Sequence, residues 1–410
     1  MDVSLYLSQK DEKVLKGEDG PVLAKAMRLM VTLGELGGAE KLVPIKRSQV
    51  AGVSYKTSGD PTLELLEGLV KDKVVAKTKA TLNPAGMDLE RWMEMGVSPA
   101  FAEKQLRICK TYERLGVLPS CTCTPYLSGN KPCFREIVGF SESSAISYVN
   151  SVLGARTNRH GGLDALSAAL VGRVPLMGYL LDENRRGTLL VKAGFKPESE
   201  SDYAALGYYV GKSTKTDDVP VYSGLRKGSH DELKLLAAAS AASGSIALFH
   251  MVGLTPEAKT EAEAFGGKRP SSSLEVTMKE IQSVYRELSS DEKPDLIAIG
   301  CPHCSLSEVG RIAKMLAGKR ISNRKKFWVF TSPGVFAEAE KRGYIGMIQS
   351  SGADVFKHTC MVVAPIEEIG FHSIYTNSAK AAFYTPRMTK SKCQAGLHSL
   401  KECVREGASD

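Results

Sequence analysis

The segment Leu296-Ile-Ala-Ile-Gly-Cys-Pro-His-Cys-Ser-Leu-Ser-Glu308 decides the fold class. Its first five residues are apolar or small, and they predict a buried strand that leads directly into two cysteines. Ser305 and Glu308 have the spacing of a capping box, which predicts a helix that continues through Leu316. A strand that is followed by a polar loop and a capped helix is typical of an α/β protein.

The same alternation extends over most of the chain. We expect helices at 22–36, 61–69, 99–115, 141–153, 163–171, 229–244 and 276–288, and a further helix that begins at Thr255-Pro256. We expect strands at 49–54, 175–181, 246–250, 296–300 and 326–331, and a loop at 266–273. The segment 182–228 shows no clear pattern. These elements predict an α/β architecture with several lobes.

Composition limits the classes of function. The chain has 410 residues, of which 43% are hydrophobic and 24% charged, as is ordinary for a globular enzyme. No apolar run approaches the roughly 20 residues that span a membrane. The segment that begins at Met1 lacks the basic and apolar residues of a secretory signal peptide, so we expect a cytoplasmic protein. The net charge is +8, but the basic residues form no dense run with aromatic residues, so a nucleic-acid partner is disfavoured. The basic residues instead favour small anionic substrates, and a solvated basic surface is the alternative.

The nine cysteines do not resemble a secreted disulfide framework. Five of them lie in three distant polar segments, each beside a predicted strand end. We name these the first cysteine segment (Ser120–Tyr126), the second cysteine segment (Gly300–Ser305) and the third cysteine segment (Lys357–Cys360). Their placement predicts one shared metal or cluster site. We expect three of the remaining cysteines to be plain thiols: Cys109, Cys393 and Cys403.

The residues alone leave three kinds of site open. Cys301 and Cys304 have the spacing of a redox pair. A zinc site could use four thiolates, namely Cys121, Cys123, Cys301 and Cys304. An iron–sulfur cluster could instead be held by three separated segments. A [4Fe–4S] cluster with three thiolates leaves one iron open, and that iron can act as a Lewis acid.

Polar loops predict a cleft that binds an anion. Arg156-Thr-Asn-Arg159 lies between two expected helices and offers forked donors at a helix start. Three further loops combine hydroxyl groups, amides and lysines near strand ends: Tyr55–Asp60, Thr331–Gly334 and Thr376–Lys380. Three histidines could act as acid or base or be structural: His250, His303 and His358. No phosphate-binding glycine loop and no G-x-S-x-G motif is present, which disfavours nucleotide enzymes and serine hydrolases.

Several segments, in the right order along the chain, are similar to the aconitase X family. They are Cys123-Thr-Pro-Tyr-Leu127, Ser141-Glu-Ser-Ser-Ala145, Asn150-Ser-Val-Leu-Gly-Ala-Arg-Thr-Asn-Arg159, Gly300-Cys-Pro-His303, Cys360-Met-Val-Val-Ala-Pro365 and Asn377-Ser-Ala-Lys380. The string from Asn150 to Arg159 is the most specific. The resemblance covers essentially the whole chain.

This resemblance implies an aconitase-like fold in which several α/β/α lobes surround a central iron–sulfur cluster. It also implies a small swivelling domain that closes the cleft and supplies a catalytic serine. In bacterial members that domain is fused, whereas this chain stops at Asp410. We therefore expect residues 1–410 to form the large subunit of a two-subunit, archaeal-type enzyme. The small swivelling-domain subunit would be its partner in a heterodimer.

The implied activity is the dehydration of a small phosphorylated hydroxy acid. The substrate expected from the resemblance is (R)-5-phosphomevalonate, and the product is trans-anhydromevalonate 5-phosphate, in an archaeal-type mevalonate pathway. Dehydration of another hydroxy acid such as cis-3-hydroxyproline is the enzymatic alternative. A zinc-stabilised protein that binds anions is the alternative without catalysis.

The resemblance also suggests residue roles. It implies a cluster, expected to be [4Fe–4S], on Cys123, Cys301 and Cys360, with Cys121 and Cys304 as neighbours. The expected substrate-binding residues are Arg156, Asn158, Arg159 and Lys380, together with four residues from the polar loops: Ser54, Tyr55, Lys56 and Ser332. The catalytic serine is expected on the partner, and His250 is the candidate acid or base on this chain.

Overall fold

The computed structural model describes residues 5–215, 217–225 and 228–408, and it contains three α/β bodies in chain order. Each body is built on a parallel sheet of four or five strands, whose carboxyl ends carry the loops. Parallel sheets in such folds are covered on both faces and place ligand sites at the carboxyl ends of their strands. No helix in the described ranges is long and apolar enough to cross a membrane.

The first body contains the described residues up to 185. Its helices are α1 (Gln9–Lys16), α2 (Pro21–Leu36), α3 (Tyr55–Leu69), α4 (Pro99–Arg114), α5 (Ser143–Ser151) and α6 (Gly162–Val171). Its strands are β1 (Leu42–Pro44), β2 (Arg47–Val50), β3 (Lys79–Leu82), β4 (Val117–Leu118), β5 (Gly139–Phe140) and β6 (Arg173–Pro175). The parallel sheet has the order β4-β3-β2-β5, and β1 pairs with β6 antiparallel. The first cysteine segment directly follows β4.

The second body follows and alternates strand and helix. In chain order it contains β7 (Leu189–Ala193), α7 (Glu200–Ser213), β8 (Pro220–Ser223), α8 (His230–Gly244), β9 (His250–Met251), α9 (Glu261–Ala264), β10 (Ser272–Val276) and α10 (Met278–Glu287). The sheet has the order β10-β7-β8-β9, with all strands parallel. Helix α8 packs against α5 of the first body.

The third body contains the segment that opened the sequence analysis. Its elements are β11 (Leu296–Cys304), α11 (Leu306–Leu316), β12 (Lys326–Thr331), α12 (Pro333–Lys341), α13 (Tyr344–Ser350), β13 (Asp354–Lys357), α14 (Ile366–Ile369), β14 (Ser373–Thr376), α15 (Ala379–Met388), β15 (Gln394–Leu397) and α16 (Leu400–Gly407). The sheet order is β13-β12-β11-β14-β15, all parallel. The central strand β11 is buried along its whole length, so the second cysteine segment ends a core strand.

Most expected elements are confirmed, with shifts of a few residues at their ends. The strand at 326–331 has the expected bounds, and the capping box of Ser305 with Glu308 starts α11 as expected. The capping box of Ser229 with Glu232 starts α8. Helix α3 includes an additional turn at 55–58, which a kink at Gly59 (φ 64°, ψ −173°) separates from the rest, so the regular helix starts at Asp60-Pro61 as expected.

Four local predictions were wrong. Of the strand expected at 175–181, only Pro175 lies in a strand, at the end of β6, because Gly178 turns the chain and the N–H of Tyr179 donates to the side chain of Asn158. No helix starts at Thr255, whose hydroxyl bonds to the backbone of Met251 and closes a turn. Of the strand expected at 246–250, only His250 lies in a strand; upstream of it, side chains of α5 satisfy the backbone. The loop expected at 266–273 ends in β10, whose Ser272 pairs with β7.

The first and third bodies meet beside the third cysteine segment. Ala85 and Thr359 form an isolated parallel bridge, and the N–H of Ala85 donates to the carbonyl of His358 over 2.7 Å. Asp88 adds a second link, because its carboxylate accepts from the N–H of Lys357 over 2.8 Å. The segment after β3 therefore holds the third cysteine segment in place.

Candidate functional site

The three cysteine segments converge on one buried site. The thiols of Cys301 and Cys360 form a hydrogen bond, and Cys123 lies close enough to interact electrostatically with both. All three side chains are buried. Three thiols that are far apart in the sequence thus face one another where the first and third bodies meet.

The neighbouring cysteines face elsewhere. Cys121 forms a hydrogen bond with Cys109, and its φ of 42° turns its side chain away from that of Cys123. Cys304 lies beside Lys234 and Glu308, with Asp231 nearby. The four-thiolate zinc set considered above is therefore not assembled, because two of its members point into different surroundings.

Hydrogen bonds and charges distinguish the three thiols. The hydrogen bond from Cys301 lowers the pKa of Cys360, and the N–H groups of Val362 and Val363 lower it further. The same bond and burial raise the pKa of Cys301. Burial raises the pKa of Cys123 to about 12, although the N–H of His303 donates to its Sγ over 3.2 Å. N–H donors directed at sulfur are a common means of tuning iron–sulfur sites.

Lys380 places a buried positive charge beside the thiols. It lies in the first turn of α15, and its Nζ donates to the Oε1 of Glu142 over 2.5 Å. Burial acts to lower the pKa of Lys380, but the charges of Glu142 and Cys301 outweigh it and raise the pKa above its ordinary value. The ammonium group is therefore charged and can attract an anionic ligand.

Glu142 is a site residue that the sequence analysis did not single out. It caps α5, and burial acts to raise its pKa, but Lys380, Ser144 and Asn83 together lower it below its ordinary value. Asn83 Nδ2 donates to Glu142 Oε2 over 2.7 Å. Its only sequence signal was its position in the string Ser141-Glu-Ser-Ser-Ala145, because a buried carboxylate cannot be recognised from its residue type.

The Arg156–Arg159 string is anchored within the protein. The guanidinium group of Arg156 donates to the carbonyl of Leu180 over 2.7 Å and to the carboxylate of Asp182. The side-chain amide of Asn158 donates to the carbonyl of Met177 and accepts from the N–H of Tyr179. These two side chains thus hold the segment 177–182.

Arg159 donates to the carbonyl of Ser245, and together with Asn158 it lines a cavity of about 680 Å³ between the first and second bodies. Further cationic side chains line this cavity: Arg186, Lys268 and Arg269. None of the three proposed cluster cysteines is among its lining residues.

The four loop residues expected at the substrate also have partners within the chain. Ser54 Oγ donates to the carbonyl of Val363 over 2.8 Å, and Lys56 Nζ pairs with Glu367 over 2.7 Å. Tyr55 and Ser332 likewise bond to neighbouring side chains, Asp60 and Lys104 for the former and Ser128 for the latter. Ser54 and Lys56 thus support the turn that follows Cys360.

The histidines occupy three different settings. His250 lies in β9, and its Nε2 contacts the carbonyl of Arg185 at 2.7 Å, so the structure does not bring it to the thiols. His358 lies 3.6 Å from Asp88. His303 is fully buried among the three cysteine segments, and burial lowers its pKa to about 4, so its ring is neutral.

The donor set fits an iron–sulfur cluster. Among the residues that the structure describes, no three His, Cys, Asp or Glu side chains are grouped to hold a single metal ion. A cluster does not require such a group, because each cysteine thiolate binds a different iron atom of the cluster. Three buried thiols with N–H donors and a nearby cation match its needs, and this set supplies three thiolates.

Comparison with known proteins agrees with this architecture. Residues 4–183 match the aconitase X first domain, residues 187–286 the second domain, and residues 294–409 the third domain. These matches coincide with the three bodies. Aconitase-like proteins generally bind an iron–sulfur cluster.

Individual relatives extend the match over nearly the full length. The phosphomevalonate dehydratase large subunit of Methanocaldococcus jannaschii is 48% identical, over 95% of this chain and 97% of that protein. The cis-3-hydroxy-L-proline dehydratase of Pseudomonas aeruginosa is 34% identical, over 100% of this chain and 71% of that protein. The crystal structure of Thermococcus kodakaraensis aconitase X, holo-form, superposes with a TM-score of 0.90 at 38% identity and covers 98% of this chain and 100% of that one. The chain belongs to the aconitase X family.

Proposed function

We propose that this chain is the large subunit of a hydro-lyase that converts (R)-5-phosphomevalonate to trans-anhydromevalonate 5-phosphate. The observation that carries the proposal is the convergence of Cys123, Cys301 and Cys360 with Lys380 in a chain of this family. Relatives from four archaea that are 41–48% identical bear the name phosphomevalonate dehydratase large subunit. The relatives named for hydroxyproline are 34% identical.

The proposed ligands of a [4Fe–4S] cluster are Cys123, Cys301 and Cys360. Cys121 and Cys304 are excluded from the proposed set because their thiols have other neighbours. When bound, a cluster with three protein thiolates supplies a Lewis-acidic iron that can polarise a hydroxyl and a carboxylate.

The residues of this chain bind and orient the substrate. The ammonium of Lys380 attracts the substrate carboxylate to the thiols, and Glu142 holds that ammonium in position. Arg159 is the member of its string proposed to contact the phosphate, because it lines the cavity of about 680 Å³ together with Arg186, Lys268 and Arg269. Dehydration removes a proton from C2 and the hydroxyl group from C3 as one water. A serine of the small subunit is proposed to take the proton.

The decisive experiment uses the two-subunit complex. We expect anaerobically purified large and small subunits, reconstituted with iron and sulfide, to show cluster absorbance and to convert 5-phosphomevalonate to a product that has lost one water. Omission of the small subunit should abolish turnover. Conversion of cis-3-hydroxyproline instead would reassign the substrate, and stoichiometric zinc without acid-labile sulfide would refute the cluster.

The ligand assignment can be tested separately with matched cysteine variants. Replacement of Cys123, Cys301 or Cys360 by Ser should abolish cluster uptake, because serine is a poor ligand for iron–sulfur iron. Cys121→Ser and Cys304→Ser remove thiols from the same segments and should retain the cluster. Iron and acid-labile sulfide per chain are the measurements. Loss of the cluster in Cys121→Ser with retention in Cys123→Ser would reverse the assignment within that pair.

A further inference from the structure

His303 lies in the second cysteine segment and contacts the other two. It lies two residues after Cys301 in β11 and is fully buried. Its Nδ1 is 3.0 Å from Thr122 Oγ1, in the first cysteine segment, and its Nε2 is 2.8 Å from the carbonyl oxygen of Thr359, in the third cysteine segment. Its backbone N–H donates to Cys123 Sγ over 3.2 Å.

Each of these contacts falls beside a proposed ligand. Thr122 precedes Cys123, and Thr359 precedes Cys360. The imidazole ring therefore links Thr122 and Thr359, each of which precedes a proposed ligand, to β11, which carries the third ligand, Cys301. Such support of ligand-bearing residues by hydrogen bonds is what orients a metal site before the metal arrives.

The hydrogen bonds define the tautomer of His303. A backbone carbonyl can only accept, so Nε2 carries the hydrogen and donates it to Thr359. Nδ1 is then an acceptor, and the hydroxyl of Thr122 donates to it. Thr122 Oγ1 in turn accepts from the N–H of Thr124 over 3.1 Å. Both ring nitrogens are therefore used within the protein, and neither is available to a substrate.

We infer that His303 is a positioning residue that joins the three cysteine segments into one preformed cluster site. The inference rests on the proposed function, since it takes Cys123, Cys301 and Cys360 as the ligands. It replaces the role of acid or base considered from the sequence. The joining does not depend on the cofactor, because all of its hydrogen bonds are made by the protein alone.

Three substitutions separate the two side-chain links. His303→Asn places an amide oxygen near the position of Nδ1 and can keep the bond from Thr122 while losing Thr359. His303→Gln places an amide donor near the position of Nε2 and can keep Thr359 while losing Thr122. His303→Leu removes both bonds. The backbone bond to Cys123 remains in all three variants.

The expected results differ among the variants. In the metal-free protein, His303→Gln should accelerate amide hydrogen exchange in the first cysteine segment, and His303→Asn should do so in the third cysteine segment. After anaerobic reconstitution, we expect His303→Leu to lose its cluster in air at least tenfold faster than the wild type, with Asn and Gln intermediate. An altered electron paramagnetic resonance spectrum should accompany the faster loss.

His250→Gln is the matched control. His250 is also a buried histidine whose Nε2 contacts a backbone carbonyl, but it lies in the second body. We expect this variant to match the wild type in cluster content, spectrum and exchange at the cysteine segments.

The outcomes keep the two proposals apart. Wild-type cluster retention and spectrum in His303→Leu would overturn the role of His303 and leave the proposed function standing. Absence of a cluster in the wild type would overturn the proposed function, and the exchange pattern of the metal-free variants would then decide the joining role alone. If His303→Leu does not fold, the contrast between Asn and Gln decides, and identical exchange in those two variants would refute the inference.

Discussion

Lys380 and Glu142 form a buried ion pair at the wall of the proposed site. Both side chains are about one-tenth exposed, and the pair joins α15 of the third body to the start of α5 in the first. Burial of two charges costs several kcal/mol for each ion, and the pair offsets that cost only while both members are present. An apolar pair would fill this space without that cost, and the proposed role of Lys380 in substrate binding gives a reason for a charge at this position.

Replacement of Lys380 alone should therefore affect both stability and catalysis. Lys380→Met leaves the carboxylate of Glu142 buried without its cation, and we expect the free energy of unfolding to fall by roughly 3–5 kcal/mol. We expect kcat/KM of the reconstituted complex to fall by about 10²–10³-fold, as when a donor to a developing charge is removed. Chemical denaturation and steady-state kinetics check the two effects.

The double variant distinguishes the two roles. In Lys380→Met/Glu142→Gln neither charge remains buried, so part of the stability should return, by an interaction energy of about 0.5–3 kcal/mol. Activity should not return, because the ammonium is still missing. Recovery of activity in the double variant would mean that Lys380 serves only the fold.

The sequence predicted that the three cysteine segments share a site, but it could not identify the partners of each side chain within it. Cys121 and Cys123 lie one residue apart in the same polar segment, so they were equivalent as a pattern. The left-handed φ of Cys121 separates them, and nothing in the residue type of cysteine predicts it. Glu142 was missed for a related reason, since its burial depends on a lysine 238 positions away.

The course of strand β11 depends on Gly300. Its φ is +116°, and a Cβ at this position would lie 2.2 Å from the carbonyl oxygen of Phe330 in β12. The close approach occurs where the pairing of β11 with β12 shifts register, one residue before Cys301. The direction in which the second cysteine segment leaves the sheet is therefore set by a position that only glycine can occupy.

Gly300→Ala should disturb both the strand and the site. We expect the free energy of unfolding to fall by roughly 2–4 kcal/mol, because the substitution adds a backbone clash to an unfavourable φ. Cluster uptake should fall as well. Gly318→Ala is the control, because Gly318 also has a positive φ, of +73°, but open space around it; it should cost about 1 kcal/mol and leave uptake unchanged. Equal effects of both substitutions would contradict the role of the contact.

Asp88 makes the hold on the third cysteine segment sensitive to acid. Burial acts to raise its pKa, but the neighbouring His358 and the hydrogen bonds from the backbone N–H groups of Lys357 and Glu90 outweigh it, so the pKa is lowered. Because the folded-state pKa lies below the unfolded one, the stabilisation is complete above the unfolded value of about 4 and is lost as the pH falls below it.

Asp88→Asn should remove this acid dependence. We expect the variant to be less stable than the wild type by about 1–3 kcal/mol at pH 7, because the N–H of Lys357 then faces an amide donor. The difference should shrink as the pH falls from 5 towards 3. Urea denaturation at several pH values measures it, with the exposed Asp291→Asn as a control that should follow the wild type. A difference that is constant over this range would contradict the assignment.

The elements themselves were largely predictable, and the failures share a cause. Capping boxes and apolar runs are local signals, so β12, α8 and α11 could be located from the sequence. Backbone groups of the segments at 175–181 and 246–250 form hydrogen bonds with side chains that the tertiary fold brings to them. These side chains are Asn158 for the first segment, and Asn150 and Ser151 for the second. Local patterns contain no information about such partners.

Lys234 joins the second body to the third. It lies in α8 and is fully buried, and its Nζ donates to the carbonyl of His303 over 3.0 Å and pairs with Glu308 of α11. Burial acts to lower its pKa, but Glu308 and Asp231 outweigh it and raise the pKa above its ordinary value. The second body thus contacts the strand that carries the second cysteine segment, without supplying a thiol itself.

Lys234→Met should loosen this junction. We expect the free energy of unfolding to fall by roughly 3–5 kcal/mol, because the carboxylate of Glu308 is left buried without its cation. Hydrogen exchange should increase in both α8 and the second cysteine segment, and not in α1 of the first body. Lys212→Met removes an exposed pair with Glu287 and should cost about 0–1 kcal/mol. An effect confined to α8 would show that the junction is not coupled to the site.

An architecture of several α/β lobes could be anticipated from the resemblance, but the number of bodies and their contacts could not. The residues predicted α/β lobes and three cysteine segments at strand ends. They did not show that Ala85 bridges to Thr359, or that Lys234 reaches His303 from another body. Packing between bodies depends on side chains that have no regular spacing in the sequence, so no local sequence pattern predicts it.

The separation of the three thiols along the chain has a consequence for biosynthesis. More than half of the 410 residues lie between Cys123 and Cys360, and β14 and β15 of the sheet that positions Cys360 come later still. A ribosome therefore releases the first body long before the pocket can exist, and that body can fold first. Delivery of iron and sulfide to the proposed pocket must wait for the finished polypeptide, so truncated translation products would remain without cofactor.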